Sequence, residues 1–282
     1  MKKTSKTIGA SLALGLAAAL ALGACGSDSG NDGGGTTEDK AATELKIGAS
    51  PTPHGEILRF VKENLATEAG LKLDIVEFTD YVLPNTGLNE GSIDGNYFQH
   101  LPYLEAQMEE FNYDFYAFEG VHIEPLGVYS EKHTDLTAVP DGAMIGVSND
   151  PANQARGLRL LEAAGVFTLA QTEGDPTIDD LADNPNNVKL TQIDPQLLPK
   201  SLPDFDYAVI NGNFAIDAGL MPSSDALMLE DGQDNPYANM LVVRAGDKDS
   251  PGLVKLNELL HSPEVKQFIV DTWTDGSVIP AF

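Results

Sequence analysis

AMIGVSNDPANQARGLRLLEAAG, residues 143–165, carries two different periods in one stretch. Residues 143–147 form a short unbroken apolar run, the pattern of a strand buried on both faces. Asp150 then stands where a helix takes a side-chain cap, and Pro151 where the first turn tolerates a missing N–H. Leu158, Leu161 and Ala164 recur at helical spacing, and Gly165 suits a C-terminal stop. A buried strand that feeds straight into a helix is the repeating unit of an α/β fold with a mostly parallel sheet.

The same alternation extends in both directions. Strand patterns fall at 45–49 (LKIGA), 71–78 (LKLDIVEF), 207–210 (YAVI) and 240–243 (MLVV). Helical patterns fall at 55–69, with Gly70 as a stop, at 101–111, and at 250–260 and 262–273 near the end of the chain. Residues 44–282 are more than one sheet usually needs and fit two lobes. Composition does not place the boundary between them.

Residues 1–43 are of another kind. Lys2, Lys3 and Lys6 precede an apolar run of Ile, Leu, Ala and Gly with a single Ser, residues 8–24. The run ends in Leu22-Gly23-Ala24-Cys25, which resembles the lipobox of bacterial lipoproteins. That resemblance implies a signal peptide over 1–24, cleavage before Cys25 and a diacylglycerol on its sulfur. Residues 26–43, GSDSGNDGGGTTEDKAAT, hold no aromatic side chain and nothing to bury. Together with the lipidated cysteine, 25–43 read as a flexible tether spanning roughly 25 Å as a coil.

Charge narrows the partners. Lys and Arg number 17 against 43 Asp and Glu, a formal charge of −26, and loss of the three signal-peptide lysines leaves −29. Such a chain repels phosphate backbones, so nucleic acid is excluded as a partner. Cys25 is the sole cysteine, which rules out an intrachain disulfide, a cysteine zinc site and a redox pair. The sequence has no HExxH, no CxxC and no P-loop. Gly146-Val147-Ser148-Asn149-Asp150 lacks the last glycine of a nucleophile elbow. No catalytic residue, cofactor or metal is expected.

Binding chemistry collects elsewhere. Tyr81 follows the 71–78 strand, Arg156 lies near the start of the 151 helix, and Asn211 follows the 207–210 strand. Ligands of open α/β sheets bind at such carboxyl ends of strands. A free amino acid needs a fork for its carboxylate, acceptors for its ammonium and a lining for its side chain. Arg156 or Arg159, three residues on, offers the fork. Asn211 and Asn239 offer amides, although each also reads as a turn residue. Tyr81, Phe98, His100 and Tyr103 offer a lining, and equally a piece of ordinary core.

Seven runs taken together say more: FTDYVLPN (78–85), NYFQHLPYLE (96–105), HIEPLGVYS (122–130), SNDPANQAR (148–156), LPKSL (198–202), AVINGNFA (208–215) and NPYANMLVVR (235–244). In this order they resemble the methionine-binding lipoproteins of bacterial ABC importers, the NlpA-type family, from about residue 45 to the end. The resemblance implies a two-lobed periplasmic-binding-protein fold of type II, each lobe a mixed sheet flanked by helices, with the ligand in the cleft. It implies lobe 1 from 44–128 and 245–282, lobe 2 from 129–244, and crossings near 127–130 and 242–246. Carried over run by run, the ligand positions fall on Tyr81, Phe98, His100, Tyr103, Arg156, Asn211 and Asn239. The aromatic residues and the histidine would surround a thioether; the arginine and asparagines would hold the amino-acid end. Ser148 and Phe214 stand where many members have proline and tyrosine, and neither is a carried-over contact. The expectation is a lipoprotein anchored through Cys25 on the extracytoplasmic face of the cell membrane. It would capture methionine, as the L form, the D form or both, and deliver it to the permease and ATPase of an importer. The alternatives are a receptor for another small amino acid or short peptide, and a surface adhesion protein that keeps the fold.

Overall fold

The computed structural model describes residues 42–170, 174–233 and 235–282. The expected signal peptide, Cys25 and all but the end of the expected tether lie outside the described residues. The first strand among the described residues starts at Thr43.

Thr43–Ala49, Leu71–Glu77 and Gly95–His100 run parallel, with Thr43–Ala49 in the middle. Asn239–Arg244 continues this sheet antiparallel to Gly95–His100, followed by Phe115–Ile123 and Ile279–Pro280. A second sheet repeats the plan with a parallel trio of Tyr207–Ile210, Met144–Ser148 and Lys189–Ile193. Gly127–Tyr129 and Met228–Leu229 close it on one side in antiparallel pairing. Each sheet is thus mixed, with a parallel heart. Among the described residues, no helix is long and apolar enough to cross a membrane.

The local signals act as their chemistry requires. The Asp150 carboxylate accepts the Asn153 N–H at 2.8 Å and caps the Pro151–Ala163 helix. Gly165 ends the segment at φ +77°, a backbone region that glycine enters without a Cβ penalty. The helix expected over 55–69 is regular only over Glu56–Asn64. Its apolar stripe of Ile57, Leu58 and Val61 is fully buried against the first sheet, together with Leu253, Leu256, Val265 and Ile269 from the two C-terminal helices. Leu158 and Leu161 bury the other helix against Ile145, Val147 and Val209 of the second sheet.

The crossings correct one expectation. Gly127–Tyr129 belongs wholly to the second sheet, and Asn239–Arg244 lies inside the first, two strands from its Ile279–Pro280 edge. The chain therefore passes over within 124–126 and returns within 230–238, not near 127–130 and 242–246. The reason is physical: a strand buried on both faces, such as MLVV, presents the same apolar pattern in either sheet. A third apolar cluster bridges the two sheets, bringing Tyr81, Phe98 and Tyr103 against Ile210, Phe214 and Ala215.

Candidate ligand-binding site

Beside that bridging cluster lies a cavity. Tyr81, Phe98, His100, Tyr103 and Asn239 border it from the first sheet, Arg156 and Asn211 from the second. All seven residues singled out by sequence therefore face one enclosure. Gln99, Glu124, Asn153, Gly212 and Asn213, which the sequence reading did not select as contacts, complete its wall.

One end is aromatic. The rings of Tyr81, Phe98 and Tyr103 lie 5.7–6.0 Å apart between centroids, tilted or edge to face. The Tyr103 hydroxyl donates to the Tyr81 carbonyl at 2.8 Å, and the Tyr81 hydroxyl to Asn213 Oδ1 at 2.6 Å. The phenol groups are spent within the protein, so this wall offers ring faces and edges. Burial raises both tyrosines well above the ordinary phenol range. The Tyr81–Asn213 bond also joins the loop after Leu71–Glu77 to the Gly212–Asp217 helix of the second sheet.

The other end is charged. Arg156, only 4% exposed, donates Nε–H to Glu230 at 3.0 Å and Nη2–H to the Glu124 carbonyl at 2.9 Å. Its guanidinium lies 4.2 Å from the centre of the Tyr237 ring. Nη1 has no hydrogen-bond partner among the described residues, which leaves one edge of the fork toward the cavity. Arg159 points elsewhere: its side chain is 46% exposed and pairs with Asp175 at 2.8 Å. Glu230 also accepts the Leu126 N–H at 3.3 Å and Asn235 Nδ2–H at 2.9 Å. Arg156 and Glu230 thus tie both crossing segments together at the wall of the cavity.

Amides link the two ends. His100 Nδ1 accepts the Tyr103 N–H, so Nε2 carries the ring hydrogen and donates to Asn153 Oδ1 at 3.2 Å. Asn153 Oδ1 accepts a second bond from Asn211 Nδ2 at 2.7 Å. Burial, and then the charge of Arg156, push the His100 pKa down to about 3, so the ring is neutral. The resemblance set His100 beside a thioether; its Nε2 is engaged with this amide junction.

Glu124 is the buried acid of the site, 5% exposed. Burial raises its carboxyl above the ordinary range, opposed by His54, the Asn213 backbone N–H and Arg156. His122 Nε2 lies 2.7 Å and His54 Nε2 3.2 Å from its Oε1. The facing atoms of these three side chains fall within 4.8 Å of one another, close enough for a metal ion. His122 Nε2 is spent on Glu124 in a hydrogen bond and His54 Nε2 on Asn239 Oδ1. Both facing ring nitrogens thus already have partners within the protein. The one sequence signal of Glu124 was an acid set in the apolar run HIEPLG, 122–127; its neighbour His54 lies 70 residues away.

Two mixed α/β sheets, crossed twice by the chain and enclosing a cavity with an arginine at one end and aromatic rings at the other, define the class of two-lobed solute-binding proteins. Comparison with known proteins narrows this. The chain belongs to the NlpA lipoprotein family, whose model matches residues 45–282. It is 39% identical over 264 residues to the methionine-binding lipoprotein MetQ of Bacillus subtilis, covering 92% of this chain and 93% of that one. It is 33% identical over 279 residues to the D-methionine-binding lipoprotein MetQ of Escherichia coli K12, covering 98% and 97%. A nutrient-binding protein of Burkholderia cenocepacia, solved bound to methionine, superposes with a TM-score of 0.81 at 40% identity, covering 84% of this chain and all of that one. The NlpA-type resemblance and the two-lobed fold read from the sequence both stand.

Proposed function

We propose that this protein is an extracytoplasmic receptor that captures methionine and hands it to an ABC importer. The observation that carries the reading is the polarity of the cavity: a guanidinium fork and a buried carboxylate at one end, a ring-lined slot at the other. A zwitterionic amino acid with an apolar tail has the complementary order of groups. Arg156 takes the ligand carboxylate through its open edge, as a planar fork suits. Glu124 takes the ammonium, with Asn211 and Asn239 beside it. Tyr81, Phe98 and Tyr103 hold the thioether, and His100 fixes Asn153 and Asn211.

The lobes of this reading are 44–123 with 239–282, and 127–229, joined by the two crossing segments. Ligand entry requires them to part. Closure then removes water and strengthens the Arg156–carboxylate pair. Cys25, lipidated after removal of 1–24, holds the protein on the outer face of the cell membrane, and the permease and ATPase of the importer receive the ligand. The relatives named for methionine binding support the ligand; the Leu-Gly-Ala-Cys run supports the anchor.

Native mass spectrometry of the purified protein, followed by calorimetry after the bound ligand is stripped, tests the reading. A retained mass matching methionine and saturable binding of added methionine are expected. Retention of a different molecule, with no binding of methionine by the stripped protein, would overturn it.

A further inference from the structure

Five side chains from four stretches of the chain lie buried together beside the cavity. The Tyr97 hydroxyl bonds to His122 Nδ1. His122 Nε2 reaches Glu124 Oε1 at 2.7 Å, and His54 Nε2 reaches the same oxygen at 3.2 Å. His54 Nε2 also meets Asn239 Oδ1 at 3.1 Å. None of the five is more than 6% exposed. His54 Nε2 faces two oxygens and therefore carries the ring hydrogen, while its buried Nδ1 has no partner. His122 can present Nε2–H to the carboxylate because Tyr97 can supply a hydrogen to Nδ1.

We propose that His122 is a positioning residue that keeps Glu124 an ionised acceptor for the ligand's ammonium group. The inference rests on the role given to Glu124 above. A carboxylate in a dry site stays charged only when donors surround it. Here the donors are the His122 imidazole N–H and the Asn213 backbone N–H, while His54 Nε2 lies 3.2 Å away and bonds to Asn239. His122 is a neutral donor: burial holds it at about 3. The other charged or titratable groups around Glu124 are few. Arg156 reaches it from the Pro151–Ala163 helix and is itself paired with Glu230. Tyr81 and Tyr97 stay protonated through burial. Loss of an imidazole donor lets Glu124 take up a proton at neutral pH, and the ammonium then meets a neutral acid.

The test uses the full chain solubilised in mild detergent and stripped of ligand, titrated calorimetrically from pH 6 to 9. The ligands are methionine and its des-amino analogue 4-(methylthio)butanoate, which keeps the tail and carboxylate. At pH 7, His122→Phe should weaken methionine by roughly tenfold or more and leave the analogue unchanged or slightly tighter. The methionine deficit should shrink as pH rises and Glu124 ionises again. His122→Gln, which returns an N–H donor, should recover most of the affinity. If His122→Phe does not fold, His122→Leu, which also removes the donor, gives the same comparison. Equal losses for the two ligands, or a methionine deficit that does not change with pH, would overturn the proposal. Failure of the unmodified protein to bind methionine would instead overturn the function on which it rests.

Discussion

Replacing Arg156 with alanine should produce two separable losses. In the free protein the guanidinium holds Glu230 and the Glu124 carbonyl and covers Tyr237. Breaking a buried ion pair by removing one member costs about 3–5 kcal/mol. The Glu230 side chain is 17% exposed and keeps Leu126 N–H and Asn235 Nδ2–H as donors, so the lower end, about 3 kcal/mol, is expected for stability. For the ligand, a carboxylate loses its only proposed cation, and affinity should fall more than about a hundredfold. Arg156→Lys keeps the charge but cannot serve Glu230, the Glu124 carbonyl and a ligand with one compact ammonium. It should bind at least about tenfold more weakly and lose less stability than the alanine variant. Arg159→Ala removes only an exposed pair with Asp175, worth about 0–1 kcal/mol, and should bind normally. Urea unfolding followed by Trp273, the sole tryptophan and 9% exposed, gives the stability, and calorimetry gives the affinity. Damage from Arg159→Ala in place of Arg156→Ala, or full affinity in Arg156→Lys, would refute the reasoning.

Four further outcomes are expected. In the slot, norleucine should bind about tenfold more weakly than methionine, because sulfur against aromatic rings adds about 0.3–1.5 kcal/mol. Valine, glutamate and lysine should fail, and competition by glutamate or lysine equal to that of norleucine would show that the slot is not apolar. Tyr81→Phe leaves Asn213 Oδ1 without its donor and should cost about 1–3 kcal/mol, read as weaker methionine binding with the melting point little changed; unaltered affinity would mean that the bond between the sheets does not matter to closure. Acidification should destabilise the protein. His54 at about 4, and His100 and His122 at about 3, refuse protons that the unfolded chain accepts near 6.5. This stability is complete above about pH 6.5 and is lost as pH falls, by about 1.4 kcal/mol per unit for each ring. Glu124 and Asp150, whose carboxyls burial raises, act in the opposite sense and offset part of it. A urea midpoint that stays flat between pH 7 and 4.5 would contradict this. Cys25→Ala should abolish lipid labelling and membrane retention, and equal labelling would remove the anchor.

The sequence disclosed the parts of the molecule that short-range chemistry controls. Asp150, Pro151 and Gly165 bounded a helix because caps and stops act within one turn. The strand over 207–210 was readable because its apolar run is bounded on both sides. Tyr81, Arg156 and Asn211 were singled out by residue type and by their place after strands, Phe98 by its aromatic neighbours, and the family resemblance settled Arg156 over Arg159. What stayed hidden depends on distant pairing. His54 meets Asn239 across 185 positions, and Arg156 meets Glu230 across 74. Nothing near either residue in the chain marks its partner. Asp and Glu are so common here that Glu124 did not stand out by type, and only its burial distinguishes it. The sheet to which Asn239–Arg244 belongs was equally hidden, since hydrophobicity gives depth and not address.

That strand has a consequence for how the chain comes together. Asn239–Arg244 fills the gap between Gly95–His100 and Phe115–Ile123, so the first sheet cannot be completed until this late segment is available. Taken alone, the closure would span residues 124–238. The second sheet, however, is built entirely from strands within 127–229 and can form first. Its pairing of Leu229 with Gly127, extended by the Glu230 N–H to the Leu126 carbonyl at 2.8 Å, brings the two ends of that long excursion together. The remaining search is then that of a loop about a dozen residues long, and the entropy of closing it falls by about 2 kcal/mol. The inserted lobe thereby serves as a folding splint, delivering the missing strand to its slot.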